Sequence, residues 1–375
     1  MVTLLREWMN NYYFRHIFAM TEEDIEITSS FSYEEEEEAI LCNKTDILML
    51  GKIFLPKLYG LVFTIGLIGN FLVVLTILKA RNQKSITDIF FFNLAISDLL
   101  FVISLPFWAF YIIHDWTLGN FTCQIVSSFY SVGLFGGMFF ITIISIDRYL
   151  AIVRATCAMK SRTVTYGYLT SISIWALAIF FASPHFIFIQ KSDKQCTSSY
   201  PEHLKIIWPV FSYLEKNIIG FLLPVCIISY CYLQIIRTLM SCKNQCKQKA
   251  MKVILLVVIV FFLFWTPYHL SLFLQVLQYF EVFKDCSSLR FLDYTILVSE
   301  SVAFSHCCLN PIIYVFAGEK FRKHLSYLVL RCISFTCACG SCGKYCSGVP
   351  TAIPDCVMTS NHTQNTSDQD VSLLI

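Results

Sequence analysis

Charge is scarce in this chain. Asp, Glu, Lys and Arg make up 14% of its 375 residues, where soluble proteins average roughly a quarter. That shortage excludes an ordinary soluble globular protein. A hydrophobic share of 56%, 34 phenylalanines and a mean hydropathy of +0.61 point the same way. Catalytic signatures are missing as well. There is no His-Glu-x-x-His, no phosphate-binding glycine loop and no nucleophile motif. The expectation is a protein that is not an enzyme and has no cofactor, metal or nucleic-acid partner. No internal repeat is apparent, and few charges lie deep in the apolar runs, which argues against a channel or a transporter of duplicated halves. Met1–Met20 lacks a compact apolar stretch ending in a small-residue cleavage site. The first span is therefore expected to act as an uncleaved anchor. Residues 1–19 are aromatic and mildly basic, unlike the strongly acidic residues 20–46, so Met20 is a second candidate start.

What is present is a set of long apolar runs. They cover Ile53–Leu78, Ile89–Ile113, Ile125–Val153, Tyr166–Ile189, Ile206–Ile236, Val253–Val276 and Leu289–Phe316. Each reaches the roughly 20 helical residues that cross a bilayer core. Inside lipid every backbone polar group must be satisfied within the segment, so these runs are read as helices. The expected fold is an all-α membrane protein, a seven-transmembrane helix bundle. Phe321, Leu325 and Leu328 recur at helical spacing with bases opposite, which predicts a short amphipathic helix on the membrane surface after the last span. The expected organisation is an acidic N-terminal segment over 1–52, the bundle over 53–316, the surface helix over 317–330 and a tail over 331–375.

The connecting segments are sorted by sign. Lys79, Arg81 and Lys84 follow the first run, Arg154, Lys160 and Arg162 the third, and Arg237, Lys243, Lys247, Lys249 and Lys252 the fifth. Lys320, Arg322, Lys323 and Arg331 follow the seventh. Bases favour the cytoplasmic side. With seven spans this places the N-terminus outside and the C-terminus inside. Residues 1–46 agree, with eleven acids against three bases.

Topology then sorts the seventeen cysteines. Cys42, Cys123, Cys196 and Cys286 fall outside, where oxidation favours pairing. Four cysteines allow three pairings; Cys123–Cys196 with Cys42–Cys286 is the expected one. Cys332, Cys337 and Cys339 follow the last span and are candidates for reversible acylation. Asn43-Lys44-Thr45 is an outer glycosylation sequon at Asn43.

Several polar residues sit within the apolar runs. Asn70, Asp98 and Asn310 must each find partners there. Asp98 is either a hydrogen-bond hub or the lining of a hydrated cavity. Trp265-Thr266-Pro267 sets an indole beside a proline kink, and Asn310-Pro311-Ile312-Ile313-Tyr314 sets a kink near a tyrosine. Both are plausible hinges. Asp147-Arg148-Tyr149 ends the third run. A charged pair at a membrane edge is either an interfacial anchor or a switch.

Taken in order, Gly69-Asn70, Leu94-Ala95-Ile96-Ser97-Asp98, Asp147-Arg148-Tyr149, Trp175, Pro224 with Tyr232, Trp265-Thr266-Pro267 and Asn310-Pro311 to Tyr314 resemble the rhodopsin-like G-protein-coupled receptors. His306-Cys307-Cys308-Leu309-Asn310-Pro311, Ala317-Gly318-Glu319-Lys320-Phe321, Ser104-Leu105-Pro106-Phe107-Trp108 and the second cysteine pair resemble the chemokine-receptor branch. Ser104 stands where that branch usually has threonine. Ser241-Cys242-Lys243-Asn244, Leu255–Tyr268, Tyr200-Pro201-Glu202 and Thr366-Ser367-Asp368-Gln369-Asp370 resemble the receptors for fractalkine, the CX3C chemokine. A receptor for CC chemokines is the alternative.

The resemblance implies a plasma-membrane receptor for a chemokine, acting in leukocyte chemotaxis and adhesion. Its partners would be an inhibitory-type G protein, arrestin, receptor kinases and membrane lipid. Tyr33, as a sulfation site, with Glu34, Glu35 and Glu36 would recruit the basic ligand. Tyr59, Trp108, Tyr130 and Glu300 would line its pocket. Asp98, Trp265, Pro267, Asn310, Pro311, Tyr314 and Tyr232 would form the activation switch, and Asp147, Arg148 and Tyr149 would couple to the G protein. Arg148 would leave Asp147 for Tyr232 and Tyr314 on activation. Thr359, Ser360, Thr363, Thr366, Ser367 and Ser372 would be kinase sites. A sodium pocket around Asp98 is only partly present, because Gly137 and His306 stand where many relatives have a hydroxyl and an asparagine.

Overall fold

A computed structural model describes residues 44–79, 85–154, 163–201, 204–205, 207–240 and 245–312, without the side chains of 245–258. Within these residues seven long helices follow one another. They are α1 Thr45–Lys79, α2 Ile86–His114, α3 Asn120–Val153, α4 Val164–Phe188, α5 Ile207–Met240, α6 Gln245–Tyr279 and α7 Cys286–Ser305. A single 3-10 turn, His306–Cys308, continues α7. By length and composition α1 to α6 can each cross a membrane. The described part of α7 carries Arg290, Asp293 and Glu300, so it is less apolar than the others.

Helix ends lie beyond the apolar runs because hydropathy marks what lipid covers, whereas caps mark where the backbone turns. Thus α1 begins at Thr45 rather than Ile53, and α3 at Asn120 rather than Ile125. At α2 the Ser85 hydroxyl accepts from Asp88 N at 3.1 Å, and Asp88 Oδ2 accepts from Ser85 N at 2.9 Å. This reciprocal cap satisfies two otherwise orphaned amides. Asp285 caps α7, accepting from Ser288 N at 2.8 Å and from the Ser287 hydroxyl. These bonds, with the Ser288 hydroxyl, hold its carboxyl down at about 2.

The fold departs from the all-helical expectation at one place. β1 Ile189–Ser192 and β2 Gln195–Ser198 pair antiparallel directly after α4, with Ile189 opposite Ser198. The turn is tight, and Asp193 takes φ 47° in it. Asp tolerates that left-handed conformation better than most residues. Four-residue strands flanked by an apolar helix leave no separate hydropathy signal, so the sequence pattern does not announce the hairpin.

α5 is not a continuous α-helix either. Ile218–Leu222 widen into a π turn just before Pro224. Proline's ring would clash with the carbonyl four residues back, here Gly220, in a regular helix. The π turn relieves that clash and adds one residue to the winding.

α1 packs on α2, α2 on α3, α3 on both α4 and α5, and α6 on α7, which returns to α1. Small residues set the closest approaches. A Cβ at Gly133 would lie 2.8 Å from Phe101 N, and the Ser97 hydroxyl donates to Gly133 O at 2.8 Å across the same seam. A Cβ at Gly69 would lie 2.9 Å from Pro311, which brings two sequence-flagged positions together. Trp175 Nε1 donates to Asn93 Oδ1 at 2.8 Å, joining α4 to α2.

Candidate functional site

At one end of the bundle the hairpin lies across the helices. The Cys123–Cys196 disulfide, with Cα atoms 5.7 Å apart, ties β2 to the first turn of α3. Trp116 reinforces the join. Its backbone N–H donates to Lys194 O at 2.7 Å and its indole to Gly119 O at 2.9 Å. Its ring packs on Trp108 and Tyr111. Cys286 is also disulfide-bonded, to a partner outside the described residues. Two ion pairs hold the start of α1 against α7 nearby, Lys44–Asp293 at 2.8 Å and Arg290–Asp46 at 3.1 Å.

Beneath the hairpin an aromatic group converges from five helices. Phe304 of α7 is its centre, with ring centroids 5.0 Å from Phe101, 5.6 Å from Tyr130, 5.9 Å from Tyr59 and 6.4 Å from Tyr268. Trp108 reaches Tyr130 at 6.5 Å. The hydroxyls of Tyr130 and Tyr268 meet at 3.4 Å. Glu300, one turn above Phe304, lies within electrostatic reach of Tyr59, Tyr130, Tyr213 and Tyr268. Its carboxylate makes no ion pair among the described residues. The arrangement is an acid set among phenols and apolar rings, suited to a cationic group that brings its own hydrogens.

Midway down, Trp265 packs against His306 at 5.8 Å and His269 at 6.0 Å, with Pro267 two residues further along α6. Its indole N–H has no hydrogen-bond partner among the described residues. Beside it lies a cavity of about 20 Å3 lined by Asp98, Gly137, Met138, Trp265 and His306 among others. That is room for a water or one ion. Asp98 Oδ2 accepts from Asn310 Nδ2 at 2.8 Å. Asn70 Nδ2 donates to Gly66 O and to Cys307 O, at 3.0 and 3.1 Å, and so staples α1 to the 3-10 turn. The cavity offers one carboxylate, a glycine that brings no side-chain oxygen and otherwise mostly apolar walls. A hard cation wants several oxygen ligands, so this lining does not fit sodium.

At the opposite end, Asp147 is buried and its Oδ2 accepts from the Thr87 hydroxyl at 2.9 Å. Tyr232 of α5 is within reach of Ser145 and Arg148. The Tyr149 ring lies 5.9 Å from Tyr230, and Arg154 Nε donates to its hydroxyl at 3.5 Å.

Residues 69–314 match the family of the seven-transmembrane receptor of rhodopsin type. The chain is 48% identical to the human CX3C chemokine receptor 1 over 93% of its length and 98% of the relative's. It is 48% identical to the bovine one over the same shares. With the human C-C chemokine receptor type 4 it shares 45% over 88% of its length and 91% of that protein's. The chain belongs to the chemokine-receptor branch of the rhodopsin family. It is a multi-pass membrane receptor.

In this receptor Tyr59, Trp108, Tyr130 and Glu300 come together at the hairpin end. Pro267, Trp265, Asp98 and Asn310 lie in the middle, while Asp147, Arg148, Tyr149 and Tyr232 gather at the far end. Tyr33, Glu34, Glu35, Glu36, Cys42, Asn43 and Tyr314 lie outside the described residues. So do the surface helix over 317–330, Cys332, Cys337 and Cys339, and the kinase candidates Thr359, Ser360, Thr363, Thr366, Ser367 and Ser372. Sequence reading missed Thr87, Tyr268, Phe304 as the hub of the aromatic group, and Lys216. Tyr268 stands directly after Pro267 and Thr87 inside a capping sequence, so only three-dimensional neighbours reveal their roles. Lys216 carried a signal, a base in the middle of an apolar run.

Proposed function

We propose that this receptor binds a fractalkine-like CX3C chemokine at the hairpin end and signals through an inhibitory-type G protein at the Asp147 end, from the plasma membrane with its N-terminus outside. The observation that carries the reading is Glu300, an acid with no ion pair among the described residues, beneath a disulfide-fixed hairpin and among Tyr59, Tyr130 and Tyr268. Chemokines are basic proteins, and the acidic residues Glu34 to Glu38 would steer one toward the opening and speed its association. The high identity to CX3C chemokine receptor 1 over nearly the whole length supports that ligand class.

Ligand contacts would favour a bundle in which the lower part of α6 swings out about Pro267, opening a cleft beside Arg148. Arrestin and receptor kinases would then act on the tail from Thr359 to Ser372, and Cys332, Cys337 and Cys339 would anchor it to lipid. The test is binding of the fractalkine chemokine domain to cells expressing the receptor, with inhibition of cyclic AMP as the readout. Glu300→Gln should weaken binding by about tenfold or more, since one charge-assisted contact is worth roughly 1.5–3 kcal/mol. Arg148→Ala should abolish the cyclic AMP response while binding persists. A receptor that responds to a CC chemokine and ignores fractalkine would move it to the relatives typified by the C-C chemokine receptor type 4.

A further inference from the structure

α5 carries three consecutive polar residues about a third of the way along its length, Glu215, Lys216 and Asn217. Successive helical residues are about 100° apart, so these three fan over some 200° of the helix surface. No single face can take them all, and the π turn over Ile218–Leu222 begins immediately after. The structure shows how each is accommodated. Glu215 is 7% exposed and its Oε2 has no hydrogen-bond partner among the described residues. Asn217 Oδ1 meets His269 Nδ1 of α6 at 3.2 Å, and His269 stacks on Phe221 at 4.3 Å. With Asn217 Oδ1 accepting, His269 Nδ1 carries the hydrogen, and its Nε2, without a partner among the described residues, is an acceptor.

Lys216 stands between Glu215 and Asn217 in the chain. Its ammonium is within electrostatic reach of Glu215 on its own helix, Glu300 on α7, His185 on α4 and His269 on α6. It makes no ion pair among the described residues, and neither does Glu300. One cation therefore faces two carboxylates and is bound tightly to neither. Lysine is a compact charge on a flexible stem, so it can serve either acid with little movement of backbone. Burial of an acid with an unfilled oxygen is costly, and Glu215 Oε2 is filled if the ammonium moves to it.

We propose that Lys216 is a built-in counter-ion shared between Glu300 and Glu215, which a cationic ligand group displaces from Glu300 onto Glu215. The inference rests on the reading of Glu300 as the acid that receives the ligand. It makes Lys216 a specificity-determining residue. A ligand end with a free amine competes for Glu300, whereas a ligand end without one leaves Lys216 in place. The displaced charge couples α7 to α5 next to the π turn.

Two arms test this on the full-length receptor, with surface expression checked by antibody. In the first, melting of ligand-free, detergent-solubilised receptor is measured for Lys216→Met, Glu300→Gln and the double variant. Coupled residues give a double variant less perturbed than the sum of the singles; strictly additive shifts overturn the proposal. Lys216→Gln replaces Lys216→Met if the latter does not reach the surface. In the second arm the fractalkine chemokine domain is used with its N-terminal amine free or acetylated. Lys216→Met should raise affinity for the free-amine form about five- to tenfold and leave the acetylated form unchanged. Glu215→Gln should weaken the free-amine form in the parent receptor and have no effect in the Lys216→Met background. An equal effect of Glu215→Gln in both backgrounds overturns the proposal. If neither form binds the parent receptor, the chemokine reading fails and the melting arm alone decides Lys216.

Discussion

Asp147 has a partner that its own motif does not name. Thr87, in the first turn of α2, donates to Asp147 Oδ2 at 2.9 Å, and both side chains are buried. The motif Asp147-Arg148-Tyr149 is legible in sequence; the restraint on Asp147 is not, because sixty positions separate the pair. A hydrogen bond to a charged group contributes about 1.5–3 kcal/mol. Thr87→Val should lower the melting temperature and raise agonist-free nucleotide exchange on the G protein. Unchanged basal exchange would remove Thr87 from the restraint on Asp147. Asp285 gives a second residue-scale expectation. Its carboxyl lies at about 2 in the fold against an ordinary 3.8. A depressed acid stabilises the fold above its unfolded value, and that contribution is lost as pH falls through the folded value. Asp285→Ala should therefore speed hydrogen exchange at the start of α7 at pH 6. The difference from the parent should shrink below about pH 4 and vanish near 2. A difference constant with pH would mean that the loss is one of packing rather than of capping.

The helices owe their positions to a few close approaches. α2 and α3 meet where Gly133 faces the backbone of Phe101 and where a Cβ at Gly136 would lie 2.6 Å from Ser97 Oγ. Backbone cannot yield as a side-chain end can. Gly133→Ala should force α2 from α3 and cost about 1–3 kcal/mol, read as lower surface expression and a lower melting temperature. Gly60→Ala, where a Cβ meets nothing, is the matched control. The π turn in α5 is the other feature of this scale. Deleting Ile219 should regularise the helix and turn Glu215 to Asn217 by about 100° relative to Tyr232. The Asn217–His269 contact would then break while α5 stays helical, visible as lost pocket binding with unchanged circular dichroism. The apolar runs announced every one of these helices. They could not announce the π turn or the hairpin, since both are resolved by local backbone sterics rather than by hydropathy.

For the whole molecule, the covalent ties among the described residues lie at the hairpin end. Cys123–Cys196 anchors β2 to α3, and Cys286 is bonded at the start of α7. A native disulfide typically contributes about 2–4 kcal/mol. The paired variant Cys123→Ser with Cys196→Ser should release the hairpin, abolish pocket binding and reduce the yield of folded receptor. Retained high-affinity binding would show that the hairpin is dispensable to the pocket. The arrangement suits a receptor, with a covalently tied mouth above a middle built around Pro267 and a far end where Tyr232 lies within reach of Arg148.

The order of residues along the chain was enough to settle the class of the molecule. Seven apolar runs in a charge-poor chain admit little but a helical bundle in lipid, because the bilayer leaves backbone groups no other partners. The ordered motifs from Gly69-Asn70 to Asn310-Pro311 settled the family. It took the packed bundle to settle what each polar side chain meets. Asn310 reaches Asp98, Thr87 reaches Asp147, and Asn217 meets His269. Those pairings depend on helix rotation and register, which are set by glycine contacts, a proline-induced π turn and a disulfide. Such contacts join residues far apart along the chain, so no local pattern encodes them.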